Sequence, residues 1–448
     1  MREELSDEAP AFFDSYSSKP LKALRLNTLK LGSYVPDCLK GLKRTPWEPS
    51  GFYYPDLLPF GKSPLHSAGA YYIQEPSAMA PVTYLDIAKD MCVLDLCAAP
   101  GGKSTQIASY LENTGLLISN EIIPQRAKIL SQNIERLGIA NALVINHDPK
   151  ELSLMFPSSF DRILVDAPCS GEGMFRKDTV AVDEWSDDNV ALCKRRGKEI
   201  LDAAAIMLKA GGIMVFSTCT FSRDENEDQI LDFLADHEDF EPVPMDTLEG
   251  ERCGYLAGTI RIWPQDGLGE GHFIAKLKRK GVLKPGYPLQ RERTASSLPR
   301  QSLKPYLDFM DEFIINPKVR DRLCDIDKLF LFKGKLHLAP HHGFPILSHM
   351  KVSRAGLELG VIKNDRFEPS HSLALALDPK DVTNNIDFAE DSDEVRSYLN
   401  GQTLRSSAFS DDKRGYCLVS VSSVSLGFGK LSNGMLKNHY PKGLRINY

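Results

Sequence analysis

The most regular pattern along the chain is an alternation of short apolar runs with longer amphipathic segments between residues 66 and 280. The apolar runs cover residues 93–97, 116–120, 142–146, 162–166 and 213–217. Each run has the length and the flanking turn residues of a buried strand. The amphipathic segments have the character of helices and cover residues 103–111, 124–137 and 189–208. This alternation predicts an α/β domain with a parallel sheet covered by helices on both faces, whose ligands bind at the carboxyl ends of the strands.

The segments on either side of this domain have different patterns. Residues 1–65 combine a short helical start, a strand-like segment and a proline-rich stretch, which predicts a small α+β module. Residues 281–300 contain three prolines and predict a linker. Beyond it, residues 301–380 predict a connecting region of mixed structure, and residues 381–448 a β-rich terminal module.

Composition indicates the class of protein. A hydrophobic fraction of 42% and a charged fraction of 25% are ordinary for a soluble chain of 448 residues. No apolar run reaches the length of a membrane span, and the acidic start lacks the order of a signal peptide. The nine cysteines include no C-x-x-C pair, and His337, His341 and His342 lack matching ligands nearby, so we expect no metal site. We therefore expect a cytoplasmic, monomeric protein with reduced thiols.

The charge is distributed unevenly. The net charge of −6 alone argues against a nucleic-acid partner, because phosphate binding depends on lysine and arginine. Residues 413–448, however, contain six basic residues and no aspartate or glutamate, whereas residues 387–394 are rich in acids. This asymmetry favours a surface for a polyanion, although a solvated face of a small domain fits the pattern equally well.

A glycine-containing loop follows the first predicted strand of the central domain. The loop consists of Cys97, Ala98, Ala99, Pro100, Gly101, Gly102 and Lys103. Small residues let the backbone approach a ligand closely, and the helix that follows offers free N–H groups to a carboxylate or phosphate. The pattern is neither G-x-G-x-x-G nor G-x-x-x-x-G-K-[ST], which disfavours a dinucleotide and a phosphate-binding loop of the nucleotide-hydrolysing type.

Acidic residues follow the next three predicted strands. Glu121 comes after the second strand, about 20 residues beyond Gly101, where an acid is placed to bind ribose hydroxyls. Asp148 follows the third strand, and Asp166 ends the fourth. These acids and the glycine loop together predict an adenosyl cofactor. The alternative is that they cap helices of a generic sheet of this kind.

Two cysteines stand at the ends of neighbouring predicted strands, Cys169 after the fourth and Cys219 after the fifth. Thiols beside a cofactor site suit methylation of cytosine at C5, a carbon that is too weakly nucleophilic to attack a sulfonium methyl group directly. A thiolate that adds to C6 makes C5 enamine-like and reactive. Asp166, either protonated or hydrogen bonded to N3 or the exocyclic amine, would stabilise the adduct. The spacing alone does not decide which cysteine attacks.

Several longer motifs carry a resemblance to a known family. They are LRLNTLK at residues 24–30, YYIQEPS at 71–77, DLCAAPGGK at 95–103, DAPCSGEGMFRK at 166–177, STCTF at 217–221, RIWP at 261–264 and GEGHF at 269–273. With these motifs in this order, the sequence resembles the Sun/Fmu family of RNA cytosine-C5 methyltransferases. Within that family it is most similar to the bacterial enzymes that act on 16S ribosomal RNA. The resemblance covers most of the chain.

The resemblance implies a fold and a set of roles. The implied fold is a Rossmann-like class I methyltransferase core at residues 66–280, with an RRM-like module before it and an extension ending in a PUA-like RNA-binding module. The implied cofactor is S-adenosylmethionine, bound by residues 97–103 with Glu121, Asp148 and Asp166. Cys219 is implied to be the nucleophile, and Cys169 to assist release of the methylated product.

The resemblance also implies 16S ribosomal RNA as the substrate, free or within the small subunit. The same chemistry on tRNA or DNA is one alternative. In DNA cytosine methyltransferases a Pro-Cys motif like that of Cys169 supplies the nucleophile. A non-catalytic RNA-binding factor in ribosome assembly is another alternative.

Overall fold

The computed structural model describes residues 5–177, 179–284, 298–340, 350–405 and 414–446. These residues form four β-sheets. The central part of the predicted linker, residues 285–297, lies outside the described residues, as do His341, His342 and Lys413. Among the described residues, no helix has both the length and the apolar character needed to cross a membrane.

The first sheet belongs to the N-terminal module and extends beyond residue 65. Its antiparallel strands, in the order β2-β1-β3, are β1 (Ala23–Leu26), β2 (Gly51–Tyr53) and β3 (Tyr71–Gln74). The helices of this part of the chain are Ala9–Ser15, Thr28–Leu31 and Pro64–Ser67. Because all four residues of β3 pair with β1, a module boundary at residue 65 would divide this sheet. In the helix Ala9–Ser15, Phe12 packs against Phe221 and Trp263 of the central domain.

The central sheet contains the five predicted strands. The strands of this region are β4 (Cys92–Asp95), β5 (Leu116–Asn120), β6 (Ala142–Ile145), β7 (Phe160–Asp166), β8 (Leu208–Thr218), β9 (Phe240–Pro242), β10 (Glu251–Cys253), β11 (Thr259–Ile262) and β12 (His272–Arg279). The first five are parallel in the order β6-β5-β4-β7-β8, and β12 lies antiparallel beside β8. The strand order reverses between β4 and β7, which is where sheets of this kind bind ligands. The predicted Rossmann-like core is thus confirmed.

Helices cover both faces of this sheet. They are Ala80–Thr83, Gly102–Leu111, Pro124–Arg136, Pro149–Met155, Asp187–Met207 and Glu227–Asp236, and a further short helix of this region, Thr179–Glu184, buries none of its residues. Successive residues of a strand point to opposite faces, so Leu94 and Ile118 belong to one apolar cluster while Val93 and Leu117 belong to the other. Burial of one such side chain contributes roughly 1.5–3 kcal/mol. Strands buried on both faces hold the residues that follow them at fixed positions.

The region after the linker is not separate from the central sheet. Its strands are β13 (Leu329–Phe332), β14 (Lys335–Leu338), β15 (Val352–Ala355), β16 (Leu357–Lys363) and β17 (Arg366–Pro369), and its helices are Lys304–Phe313, Pro317–Leu323 and His371–Ala376. Four of these strands form a sheet of their own, whereas β15 pairs with β6 at the edge of the central sheet. The central sheet therefore extends beyond residues 66–280. The added strand β15 covers an edge of β6 that would otherwise expose unpaired N–H groups.

The last sheet packs against the first module. Its strands, in the order β18-β20-β21-β22-β19, are β18 (Asn385–Phe388), β19 (Leu404–Arg405), β20 (Gly415–Val421), β21 (Val424–Ser432) and β22 (Met435–Asn438), and its helix is Asp393–Asn400. One apolar cluster spans this sheet and the N-terminal module. The Nζ atom of Lys30 donates to the backbone oxygens of Ala68 at 2.6 Å and of Ser425 at 3.3 Å. The two ends of the chain therefore pack as one unit.

Candidate active site

Two cysteine sulfurs lie side by side at the carboxyl ends of β7 and β8. Asp166, at the end of β7, lies opposite Ser217 in this parallel pair, so the loops that follow start at the same level of the sheet. Cys169 lies in the first loop and Cys219 in the second. Their Sγ atoms are 3.4 Å apart, within hydrogen-bonding distance for sulfur. The adjacency of the two strand ends thus brings both thiols to one place.

The surroundings of Cys169 favour its protonated form. The hydrogen bond with the sulfur of Cys219 and the burial of the side chain raise the pKa of Cys169 well above that of a free thiol. The charges of Cys219 and Glu225 raise this pKa further. Cys169 is therefore suited to donate its proton in a hydrogen bond to the sulfur of Cys219. Because the thiolate is the reactive form of a cysteine, Cys169 is the less suited of the two to attack.

Asp166 is held as a carboxylate. Burial alone would raise its pKa, but the Lys103 ammonium group and the His272 ring lower that pKa well below its usual value. Lys103 Nζ donates to Oδ2 at 2.8 Å, and Ser217 Oγ donates to Oδ1 at 2.8 Å. His272 Nε2 lies 3.6 Å from Oδ1. The sequence left open whether Asp166 is protonated. The structure favours the ionised carboxylate, which accepts hydrogen bonds.

The glycine loop makes a tight turn between β4 and the helix Gly102–Leu111. Gly101 has a φ of 115°, which a residue with a side chain rarely adopts. A Cβ atom at this position would lie 3.1 Å from the side chain of Leu130, so the turn also has little space. The turn presents the first N–H groups of the helix at the carboxyl end of the sheet.

The two other predicted cofactor acids differ in their surroundings. Glu121 is only 3% exposed, accepts the Ile123 N–H at 2.9 Å and lies 3.4 Å from Arg126. Asp148 is exposed and accepts the Lys150 N–H at 2.8 Å, which makes it the N-cap of the helix Pro149–Met155. Asp148 therefore caps a helix, as expected if these acids have a structural role. Glu121, in contrast, is a buried carboxylate in the position expected of a ribose ligand.

One cavity of about 1150 Å³ connects most of the predicted residues. Its wall includes Cys97, Ala99, Glu121, Asp148, Asp166, Cys169 and Cys219, together with Ile122, Ile123 and residues of the helix Asp187–Met207. Ala98, Pro100, Gly101, Gly102 and Lys103 do not line it, and they form the turn that supports Cys97 and Ala99. The cavity is large enough for a nucleoside-sized cofactor and a base together.

Several residues that shape this site were missed in the sequence. Ser217 and His272 lie inside the longer motifs, but no pattern assigned them a contact with Asp166. Glu172 and Glu225 connect the two cysteine loops, and the only signal for them was an acid a few residues after each cysteine. The described residues contain no group of three or more His, Cys, Asp or Glu side chains suited to a metal ion.

The sheet order, the glycine turn and the acids at the strand ends define a Rossmann-like methyltransferase. A methyltransferase homolog from Pyrococcus horikoshii shares this architecture with 29% identity and a TM-score of 0.53, over 61% of this chain and 91% of its own. NSun6 from the same organism, solved with SFG, is similar in fold, with 22% identity and a TM-score of 0.53 over 62% of this chain and 95% of its own.

The particular family follows from matches along almost the whole chain. They are the N-terminal domain of 16S rRNA methyltransferase RsmF at residues 1–76, 16S rRNA methyltransferase RsmB/F at 82–278, the RsmF first C-terminal domain at 308–377 and the RsmF PUA domain at 385–446. Ribosomal RNA small subunit methyltransferase F from Shewanella baltica strain OS223 is 32% identical over 98% of this chain and 95% of its own. The protein of the same name from Vibrio vulnificus strain YJ016 is 32% identical over 96% of this chain and 93% of its own. The chain belongs to this RsmF family, and the resemblance seen in the motifs is confirmed.

Proposed function

We propose that this protein transfers a methyl group from S-adenosylmethionine to C5 of a cytosine in 16S ribosomal RNA, with Cys219 as the nucleophile. The observation that carries the proposal is the sulfur pair of Cys169 and Cys219, 3.4 Å apart, beside the carboxylate of Asp166 in one cavity with Glu121. Methylation of an exocyclic nitrogen or a ribose hydroxyl needs no cysteine. Carbon methylation of cytosine needs a thiolate, because C5 becomes nucleophilic only after addition to C6.

The proposed mechanism assigns a role to each of three side chains. The Cys219 thiolate forms a bond to C6, and the electron pair of the C5–C6 double bond makes C5 nucleophilic. Asp166, held ionised by Lys103, accepts a hydrogen bond from the exocyclic amine and so holds the base in place for attack. After methylation, water takes the C5 proton, the electron pair of that C–H bond restores the C5–C6 double bond, and Cys219 leaves as a thiolate. Cys169 assists this step by donating a hydrogen bond to the departing sulfur.

The residues around Glu121 fit the proposed cofactor, which supplies a methyl group bound to a positively charged sulfur. The buried carboxylate of Glu121 suits ribose hydroxyls. Ile122 and Ile123 border the same cavity with side chains 55% and 44% exposed, an apolar surface that suits a flat base. The free N–H groups at the start of the helix Gly102–Leu111 suit a carboxylate. We therefore propose that the glycine turn and Glu121 hold the cofactor.

Replacement of Glu121 tests this assignment. The variant Glu121→Gln is expected to weaken S-adenosylmethionine binding by about 10- to 100-fold, because a hydrogen bond to a charged group contributes about 1.5–3 kcal/mol. Isothermal titration calorimetry of the free protein measures this change. Asp148→Asn, at the exposed cap, is the comparison and is expected to have a smaller effect. Equal affinity in Glu121→Gln and the unaltered protein would contradict the assignment.

The last sheet carries a surface that suits RNA. Lys430 of β21 lies directly opposite Lys437 of β22 and opposite Tyr416 of β20. Its Nζ atom is 5.4 Å from the centroid of the Tyr416 ring. Both lysines are exposed, and neither forms an ion pair with another described residue. Like charges in direct register destabilise a sheet, so this pair favours an anionic partner such as a phosphate backbone.

Removal of these two charges is expected to weaken RNA binding and to change its salt dependence. The double variant Lys430→Ala/Lys437→Ala is expected to reduce the slope of log affinity against log salt concentration by about one to two, since each phosphate contact contributes about 0.7–0.9. Filter binding to 16S RNA over a salt series gives this slope. Lys318→Ala, an exposed lysine on the helix Pro317–Leu323, is the matched control. An unchanged slope in the double variant would exclude this surface.

The substrate class is tested by methyl transfer to a panel of nucleic acids. We expect label from S-[methyl-³H]adenosylmethionine in naked 16S RNA or assembled small subunits, and 5-methylcytidine as the labelled nucleoside. Label in tRNA or duplex DNA alone would overturn the substrate assignment. RNA binding without methyl transfer to any of them would favour an assembly factor.

A further inference from the structure

The loop that carries Cys169 reaches across to the loop that carries Cys219. Its residue Glu172 accepts the Phe221 N–H at 2.8 Å through Oε2 and also binds the Thr220 hydroxyl. Both contacts are with residues that immediately follow Cys219. The Trp185 indole donates to Oε1 of Glu172 at 3.0 Å, so both oxygens of this carboxylate are engaged.

The loop that carries Cys219 reaches back in the same way. Its residue Glu225, only 3% exposed, accepts the Ser170 N–H at 2.9 Å through Oε2 and binds the Ser170 hydroxyl through Oε1. Ser170 immediately follows Cys169, and its hydroxyl lies 2.8 Å from that of Thr220. Each loop therefore supplies one carboxylate that binds next to the cysteine of the other loop.

The backbone leaves the two loops little freedom to separate or approach. The Gly173 N–H donates to the carbonyl oxygen of Cys219 at 2.8 Å. A Cβ atom at position 173 would lie 2.7 Å from that oxygen, so only glycine allows this approach. The distance between the two sulfurs is thus fixed by contacts that lie outside the sulfurs themselves.

We propose that Glu172 and Glu225 form a reciprocal clasp that sets the distance between the two sulfurs and directs nucleophilic attack to Cys219. The inference rests on the proposed function, in which these thiols act on RNA. Neither glutamate is expected to touch the base, so both are positioning residues. The clasp acts through geometry, because it holds the Cys169 thiol within hydrogen-bonding distance of Cys219.

The clasp also acts through charge. Burial and the neighbouring carboxylate of Glu172 raise the pKa of Glu225 to about 7, while hydrogen bonds from Ser170 oppose the shift. Among the described residues, Glu225 interacts electrostatically with Glu172, Cys169 and Cys193 of the helix Asp187–Met207. An ionised Glu225 raises the pKa of Cys169 and so keeps the proton there. Loss of this charge lowers the pKa of Cys169, which then reacts at a lower pH.

The test is alkylation of the free, full-length protein with iodoacetamide over a pH series, with the modified cysteines mapped by mass spectrometry. In the unaltered protein Cys219 is expected to react at least about tenfold faster than Cys169, because the thiolate is the nucleophile. Glu225→Ala, which removes the clasp contact, is expected to reduce this preference to about twofold. The same variant is expected to lower kcat for methyl transfer about tenfold or more without raising the KM for RNA.

A conservative variant separates charge from geometry. Glu225→Gln retains an oxygen for the Ser170 N–H and removes the charge, so Cys169 is expected to be alkylated at a lower pH than in the unaltered protein. Its kcat is expected to lie between those of Glu225→Ala and the unaltered protein. Glu241→Gln, an exposed glutamate on β9, is the matched control and is expected to change none of these values.

If Glu225→Ala does not fold, Ser170→Ala takes its place, because this milder substitution deletes a single hydroxyl. It is expected to shift the alkylation preference in the same direction by a smaller factor. An unchanged preference in Ser170→Ala and Glu225→Gln would overturn the proposal, as would a preference in Glu225→Ala equal to that of the unaltered protein. Since alkylation needs no RNA, a changed preference supports the clasp even if no cytosine is methylated. In that case the proposed function alone fails.

Discussion

Cys219→Ala is expected to reduce methyl transfer by at least about 10⁴-fold, because removal of a covalent nucleophile removes the only step that activates C5. Binding of S-adenosylmethionine and RNA is expected to stay within about threefold of the unaltered protein, since the thiol acts in the reaction and not in ground-state binding. Single-turnover transfer of a radiolabelled methyl group measures the first quantity. Titration calorimetry and filter binding measure the second.

The control for this variant is Cys38→Ala, an exposed thiol in the N-terminal module. It is expected to retain full activity. If Cys219→Ala retains turnover and Cys169→Ala loses it, Cys169 and not Cys219 is the nucleophile. Turnover in both variants would exclude covalent catalysis by either.

Cys169→Ala is expected to form the adduct and then stall. Without the Cys169 thiol 3.4 Å from the sulfur of Cys219, the departing thiolate lacks its hydrogen-bond donor. A positioned hydrogen-bond donor to a developing anion contributes about 10²–10³-fold, and we expect release to slow by that factor. A protein–RNA complex that survives denaturing electrophoresis is the expected readout. The double variant Cys169→Ala/Cys219→Ala is the control and is expected to form no such complex.

The catalytic fold could be predicted from local sequence because its signals are local. Each parallel strand is a continuous apolar run that is buried on both faces, and the glycine turn follows β4 directly. The ends of β7 and β8 could be placed together because consecutive parallel strands of such a sheet are usually neighbours. The position of both thiols therefore followed from the order of the motifs.

Other features depend on residues that are far apart in sequence. The pairing of β15 with β6 joins residues about 200 positions apart, and no local pattern of residues 352–355 indicates a strand of the central sheet. The contact between Lys30 and Ser425 could not be predicted either, because these two residues are 395 positions apart. The ionised state of Asp166 also depends on two distant groups, Lys103 and His272, which only the folded chain brings together.

The choice between Cys219 and Cys169 rested on family resemblance alone in the sequence. In the structure, burial, the neighbouring sulfur and Glu225 raise the pKa of Cys169, which supports the proposal that Cys219 attacks. The reciprocal contacts of Glu172 and Glu225 were invisible in the sequence, since an acid near a cysteine is too common to indicate a contact between two loops.

The most direct test of the central claim is to locate the covalent bond in the stalled complex of Cys169→Ala with 16S RNA. The complex is digested with protease and nuclease, and the cross-linked peptide is sequenced by mass spectrometry. We predict a cytidine joined to Cys219 and carrying an additional methyl group. A nucleotide joined to any other residue, or no covalent complex in any variant together with undiminished methyl transfer, would contradict the claim that Cys219 attacks cytosine.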